Sequence, residues 1–279
     1  MPQPLLELGG AGPLLHWAPA NGFPPGTYQP IAAALADSFR SVCLPPRALW
    51  GGEPPSAPGN WPELGDDIVR GLAERALPPV VAIGHSFGAV ASLVAAVRAP
   101  ARIRALVLLD PTVLTGPRLD HWARAKPLGW PDGHPLAVRA RERRDRFGDH
   151  REAFDYWRTK RLFADWPDAA LECYVAAMLV PAPDGAGFVL AWPKAWEAYY
   201  YESFYPGSWD DVARLPRDLP VLVIGGATSD TFLPEAAARF AAAVPWATIE
   251  TMPGFGHLFP QAAPAETAVR LRRWLAACS

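Results

Sequence analysis

Two rhythms of hydrophobic and polar residues alternate along the chain. Short continuous apolar runs, Val80-Val81-Ala82-Ile83, Ile103-Arg104-Ala105-Leu106-Val107-Leu108-Leu109 and Val221-Leu222-Val223-Ile224, suit strands buried on both faces. Between them lie stretches of helical period. In 61–76 the apolar residues Leu64, Ile68 and Leu72 fall on one stripe, with Asp66 and Asp67 near the start where the helix dipole favours them. The same reading predicts helices over 28–36, 89–98, 234–243 and 265–277, and strands over 39–44 and 247–251. At the N-terminus, 5–8 and 14–17 read as two strands joined by the glycine turn Gly9-Gly10-Ala11-Gly12, and the Pro-rich segment 45–60 reads as loop. Strands alternating with helices imply an α/β fold: a mostly parallel sheet with helices on both faces, binding ligands at the carboxyl ends of its strands.

The alternation stops after Pro111. Up to about Leu219 there is no strand followed by helix, only aromatic-rich, helix-prone pieces carrying Trp122, Trp130, Trp157, Trp166, Trp192, Trp196, the run Tyr199-Tyr200-Tyr201 and Trp209. A structureless loop of that length is foreign to a compact domain, so 112–217 is expected to be a helical insertion into a core made of 1–111 and 218–279. Aromatics at helical spacing serve as core more often than as a ligand pocket; Trp192, Trp196 and Tyr200 are candidates for a lining role no better marked than their neighbours. The segment Arg139-Ala140-Arg141-Glu142-Arg143-Arg144-Asp145-Arg146 reads as a solvated helix, with Glu142 facing Arg146 and Arg141 facing Asp145.

The chemistry concentrates where the first buried run ends, in Gly84-His85-Ser86-Phe87-Gly88. Strand before and helix after make this a nucleophile elbow, which holds Ser86 in strained backbone angles and presents it to substrate. The Phe87 N–H, opening the helix, is the natural first donor to an oxyanion. A serine hydroxyl needs a base within hydrogen-bond reach and the base needs an orienting acid. His257, on the glycine-bounded loop Pro253-Gly254-Phe255-Gly256-His257, is the base. His85 sits in the elbow itself, His16 ends an early strand, and His121, His134 and His150 lie in the insertion. Two carboxylates compete for the third place. Asp230 follows the strand after the insertion and is preferred because it gives the chain order Ser, Asp, His; Asp110, just after the strand beside the elbow, is the alternative.

Net charge of −2 and a pI near 6.3 give no electrostatic footprint for nucleic acid and no polybasic membrane anchor. The three cysteines, Cys43, Cys173 and Cys278, are odd in number and far apart, which favours a reducing compartment over a disulfide framework. Metal-ligand spacings, a dinucleotide fingerprint and a phosphate loop are absent, so no cofactor or metal is expected. The start of the sequence lacks a basic n-region and long apolar core, and no apolar run reaches the roughly 18 residues of a membrane span, so the expectation is a soluble, cytoplasmic monomer or homodimer. Arg47 reads as a structural ion-pair residue near the site.

Gly84-His85-Ser86-Phe87-Gly88, the turn around Asp230 and Gly256-His257 together resemble the α/β-hydrolase superfamily, over nearly the whole chain. The resemblance implies that 112–217 is a cap over the active site, placed between the sixth and seventh strands of the superfamily's sheet. It also implies a second oxyanion donor from a His-Gly-x-Pro loop. Here Asn21-Gly22-Phe23-Pro24 stands at that place, which makes Phe23 N–H the candidate donor and puts Asn21 where the superfamily has histidine.

Serine at the elbow, where dehalogenases and epoxide hydrolases of this superfamily carry aspartate, implies acyl chemistry. The expectation is a hydrolase of a small or medium apolar carboxylic ester, with a small-molecule acyl substrate, working through Ser86, His257 and Asp230, and with Asn21 and His85 near the substrate. Carbon–carbon bond or thioester hydrolysis, or acyl transfer, by the same residues is the alternative, and a non-catalytic ligand-binding protein on a hydrolase fold is a third.

Overall fold

The computed structural model describes residues 3–57 and 59–278; Pro58, within the expected 45–60 loop, lies outside the described residues. In chain order the core begins with β1 (Leu6–Gly9), β2 (Leu14–Ala18), α1 (Gln29–Leu35), β3 (Arg40–Cys43), α2 (Pro62–Glu74), β4 (Val80–His85), α3 (Phe87–Arg98) and β5 (Ile103–Leu109). An inserted region follows: α4 (Gly116–Ala125), α5 (Pro135–Glu142), β6 (Arg146–Phe147), α6 (His150–Arg158), α7 (Asp168–Met178), β7 (Leu179–Pro181), β8 (Phe188–Leu190), α8 (Lys194–Glu202) and α9 (Ser208–Ala213). The core resumes with β9 (Val221–Gly226), α10 (Pro234–Ala243), β10 (Thr248–Met252), α11 (Phe259–Ala262) and α12 (Pro264–Ala277).

Among the described residues seven strands form one sheet in the order β1-β3-β2-β4-β5-β9-β10, parallel throughout except for β1. The two N-terminal strands are therefore not hairpin partners. β3 lies between them, because β2 is drawn into the parallel core beside β4 while β1 adds antiparallel at the edge. The chain steps from β2 to β3 in one direction and to β4 in the other, so right-handed crossovers put α1 and α2 on opposite faces. α3 packs on α2, and α12 on α1. The side chains of α2 that face inward, Leu64, Ile68 and Leu72, are buried, each stabilising the fold by roughly 1.5–3 kcal/mol. β4 and β9 are buried at every residue, as their unbroken apolar runs require.

That reversal of direction opens a crevice at the carboxyl ends of β2 and β4, and Ser86 stands on it. The registers His85↔Leu109, Leu109↔Ile224 and Gly226↔Met252 bring the ends of β4, β5, β9 and β10 to the same edge of the sheet.

The inserted region departs from an all-helical reading. It contains a three-stranded antiparallel sheet, β6-β8-β7, whose strands are too short to show a period of two. Five strands of the main sheet precede it, so in this chain it separates the fifth strand from the sixth. The arginine-rich stretch is not one helix either: α5 ends at Glu142, and four of the arginines meet acids elsewhere in the chain. Arg141 pairs with Glu202, Arg143 with Glu197, Arg144 with Glu152 and Arg146 with Asp184. No helix among the described residues is long and apolar enough to cross a membrane.

Candidate active site

Ser86 joins β4 to α3 at φ 59° and ψ −122°, a conformation a side-chain-bearing residue rarely adopts and one that costs on the order of 1–3 kcal/mol. The flanking glycines make the turn possible. A Cβ on Gly84 would lie 2.4 Å from the Ala89 Cα, and one on Gly88 would lie 2.3 Å from the Ala18 carbonyl and 2.4 Å from that of Pro19. The turn is fastened to the next strand, since Ser86 N–H donates to Leu109 O at 3.0 Å and Thr112 N–H donates to Ser86 O at 3.3 Å.

His257, on the loop after β10, points its Nε2 at Ser86 Oγ, 2.9 Å away, and its Nδ1 at Asp110 Oδ1, 2.8 Å away. The acid in contact with the histidine is thus Asp110 and not Asp230. Asp110 follows β5 at φ 41°, strained and immediately before a proline, and its side chain is 0% exposed. Besides His257 the carboxylate accepts from Ser229 Oγ at 2.6 Å, Gly226 N–H at 2.7 Å and, more distantly, Phe232 N–H at 3.4 Å. A buried charge needs such partners; Gly226 at the end of β9 supplies one, and the β9–α10 loop the other two. Asp230 lies on that loop but is exposed: its carboxylate accepts from Thr231 Oγ1 at 3.2 Å, and its backbone carbonyl accepts from Arg118. The loop serves the site through Ser229, which touches the acid, while the neighbouring aspartate faces outward.

His85 is buried beneath His257 rather than facing a substrate. Because a carbonyl only accepts, His85 Nε2 donates to His257 O at 2.9 Å, which leaves Nδ1 to accept from the Tyr28 hydroxyl at 2.8 Å. Tyr28 in turn accepts from Ala20 N–H at 2.9 Å. Burial pushes the His85 imidazole down to about 3, aided by the nearby His257, so it remains neutral in this network.

Ala20 begins the turn expected to supply the second oxyanion donor. Gly22 adopts φ 79° there, and Phe23 N–H donates to Ala20 O at 3.1 Å. The Phe23 N–H is therefore engaged within its own turn, and serving an oxyanion would require sharing that hydrogen. Phe87 N–H, by contrast, is in the first turn of α3, where helix N–H groups have no intrahelical partner. Asn21 Nδ2 donates to Glu197 O at 2.9 Å, tying the turn to α8, and its buried Oδ1 meets no donor among the described residues.

Trp192, Trp196 and Tyr200 are buried packing residues. Trp192 packs edge-on and Tyr200 tilted against Phe87, while Trp196 Nε1 donates to Gly52 O at 2.8 Å and the Tyr200 hydroxyl accepts from Ala48 N–H at 3.3 Å, so Trp196 and Tyr200 fix α8 to the 45–60 loop. Arg47 pairs with Asp67 and Glu63. One residue at the centre of the site carries no motif of its own: Thr112, whose Oγ1 is 3.1 Å from Ser86 Oγ. Only its place two residues beyond Asp110 could have marked it.

A strained serine, a histidine and a buried carboxylate are joined in one hydrogen-bonded chain at the carboxyl edge of a parallel sheet, on an α/β-hydrolase fold. The comparisons agree with that class. The model of the Alpha/beta hydrolase family matches residues 14–270, and the chain belongs to that family. A search of curated proteins finds no match. Among solved structures, the chain is similar to E-2-(acetamidomethylene)succinate hydrolase, with 20% identity, a TM-score of 0.78 and coverage of 98% of this chain and 94% of the other. It is also similar to a peroxisomal α/β-hydrolase from Saccharomyces cerevisiae, with 18% identity, a TM-score of 0.73 and coverage of 96% and 77%. A thermophilic esterase from Thermogutta terrifontis gives 19% identity, a TM-score of 0.68 and coverage of 99% and 93%. At these identities the likeness shows the fold.

Proposed function

We propose that the chain is a serine hydrolase that cleaves a small or medium apolar carboxylic ester through an acyl-enzyme on Ser86. The observation that carries this reading is the unbroken chain from Ser86 Oγ through His257 to Asp110. In the reaction, Ser86 Oγ attacks the ester carbonyl carbon while its proton passes to His257 Nε2. Asp110, accepting from Nδ1–H, holds the ring in the tautomer that can take that proton and stabilises the imidazolium. The tetrahedral oxyanion is received by Phe87 N–H, joined by Phe23 N–H if the 20–23 turn shares its hydrogen. The imidazolium returns its proton to the leaving alkoxide, and the alcohol departs. Water then gives a proton to Nε2 as its oxygen adds to the acyl carbon; collapse frees the acid and returns the proton to Ser86.

The inserted region, 112–217, acts in this reading as a cap. Phe23, in the turn beside the crevice, packs its ring against Trp166 and Tyr174 of that region at 6.1 and 5.6 Å between centroids, which supports its lying over the site. The esterase name of one structural neighbour is compatible with the ester substrate. The test is turnover of a panel of p-nitrophenyl acyl esters, acyl thioesters and β-diketones by the wild-type chain and by Ser86→Ala. Ester hydrolysis lost in Ser86→Ala supports the proposal; turnover of esters that survives the substitution contradicts it.

A further inference from the structure

Ser86 Oγ has two polar side-chain neighbours among the described residues, His257 Nε2 at 2.9 Å and Thr112 Oγ1 at 3.1 Å. The acid fixes the direction of both hydrogen bonds. Asp110, as a carboxylate, can only accept, so His257 Nδ1 bears a hydrogen and the neutral imidazole keeps its lone pair on Nε2. Ser86 has one hydrogen, and it donates this to Nε2. The second contact is then a hydrogen bond only if Thr112 O–H donates and Ser86 Oγ accepts. Thr112 is well placed to hold that direction: it is 8% exposed, and its N–H also binds the carbonyl of Ser86. Backbone and side chain both grip the same serine.

We infer that Thr112 is a further catalytic residue, whose hydroxyl donates to the resting nucleophile and, after acylation, accepts a hydrogen bond from the water that attacks the acyl carbon. The inference rests on the serine hydrolase reading. β5 lies on the opposite side of β4 from β2, so Thr112 stands on the acid side of Ser86, away from the 20–23 turn. In the resting site its donation fixes the serine rotamer that aims O–H at His257. When Oγ bonds to the carbonyl carbon, its lone pair becomes that of an ester oxygen, a weaker acceptor, and the threonine hydroxyl is released. The attacking water gives one hydrogen to Nε2 as its oxygen bonds to the acyl carbon. Its other hydrogen needs an acceptor, and Thr112 Oγ1 stands beside the Oγ that carries the acyl group. Breaking the carbon–Oγ bond returns the Nε2 proton to Ser86, the water's remaining hydrogen leaves with the acid, and the threonine–serine bond re-forms.

The experiment compares Thr112→Val, which keeps the shape and removes the hydroxyl, Thr112→Ala, which removes it without bulk, and Thr112→Ser, which keeps it. Burst and steady-state phases of p-nitrophenyl acetate hydrolysis report acylation and deacylation, and intact mass reports the acyl-Ser86 adduct. Loss of the hydroxyl is expected to slow acylation about threefold and deacylation about tenfold, the scale of one hydrogen bond, so that the adduct accumulates; Thr112→Ser is expected to stay within about twofold of wild type. Valine and alanine variants that match wild type in both phases overturn the role of Thr112, as does a serine variant as slow as the valine one. A wild-type chain that neither turns over p-nitrophenyl acetate nor takes up a fluorophosphonate on Ser86 overturns the hydrolase reading, and the inference with it.

Discussion

His85 holds His257 by its backbone: the Nε2–H of the buried imidazole reaches the carbonyl of the catalytic-site histidine at 2.9 Å. Through Tyr28 the same network reaches Ala20, so the loop carrying the base and the turn beside the oxyanion site share one set of hydrogen bonds. His85→Phe, which fills the space but cannot donate, is expected to lower kcat by about 10- to 100-fold through misplacement of His257, the scale reported for loss of positioning near the chemistry. KM should change little. An unchanged kcat would show that the loop holds its own position.

The acid is tested by two substitutions. Asp110→Asn leaves the shape but gives His257 Nδ1 an amide in place of a carboxylate, and is expected to reduce kcat by about 10⁴-fold. Asp230→Asn, at an exposed carboxylate that among the described residues accepts from Thr231, should remain within a few-fold of wild type. The opposite pattern in steady-state ester hydrolysis would return the acid to Asp230.

Much of this site is legible in the sequence, for a local reason. Strand, Gly-x-Ser-x-Gly and helix are contiguous, so the strain at Ser86 and the need for glycine at 84 and 88 can be read from neighbours alone. The glycine-bounded loop of His257 is equally local. The acid is not: Asp110 and Asp230 both follow strand ends, and the choice depends on the positive φ of Asp110 and on Ser229, Gly226 and Phe232 converging on it from the other side of the inserted region. The place of β3 between β1 and β2, and the short strands of the inserted sheet, are likewise set by distant pairing that no local period records.

Arg143 and Glu197 form a largely buried pair that joins the end of α5 to α8, where Glu197 O also accepts from Asn21. Arg143 further donates to the Tyr174 hydroxyl at 3.0 Å. Glu197→Gln leaves the guanidinium without its counter-charge and is expected to destabilise the chain by about 3–5 kcal/mol in denaturant unfolding. The double variant Arg143→Met/Glu197→Leu should recover much of that loss. Equal destabilisation by both would show that the pair contributes packing rather than charge compensation.

Acid sensitivity follows from three buried histidines. Burial pushes His16 and His134 down to about 4 and His85 to about 3, all below the ordinary value of 6.5. Between those values and 6.5 the unfolded chain binds protons that the folded chain refuses, so stability rises with pH across this window and is lost as pH falls through it. The denaturation midpoint is expected to be flat from pH 7 to 8 and to drop progressively from pH 6 to 4. A midpoint independent of pH over that range would mean that these imidazoles accept protons in the folded state.

The most direct measurement is labelling of the full chain with a fluorophosphonate, followed by mass spectrometry of the adduct. A single phosphonyl group is expected on the peptide containing Ser86, absent in Ser86→Ala and formed far more slowly in His257→Ala and Asp110→Asn. Labelling that persists in Ser86→Ala, or that proceeds at the wild-type rate without the imidazole of His257, would contradict a nucleophile at position 86 activated through histidine.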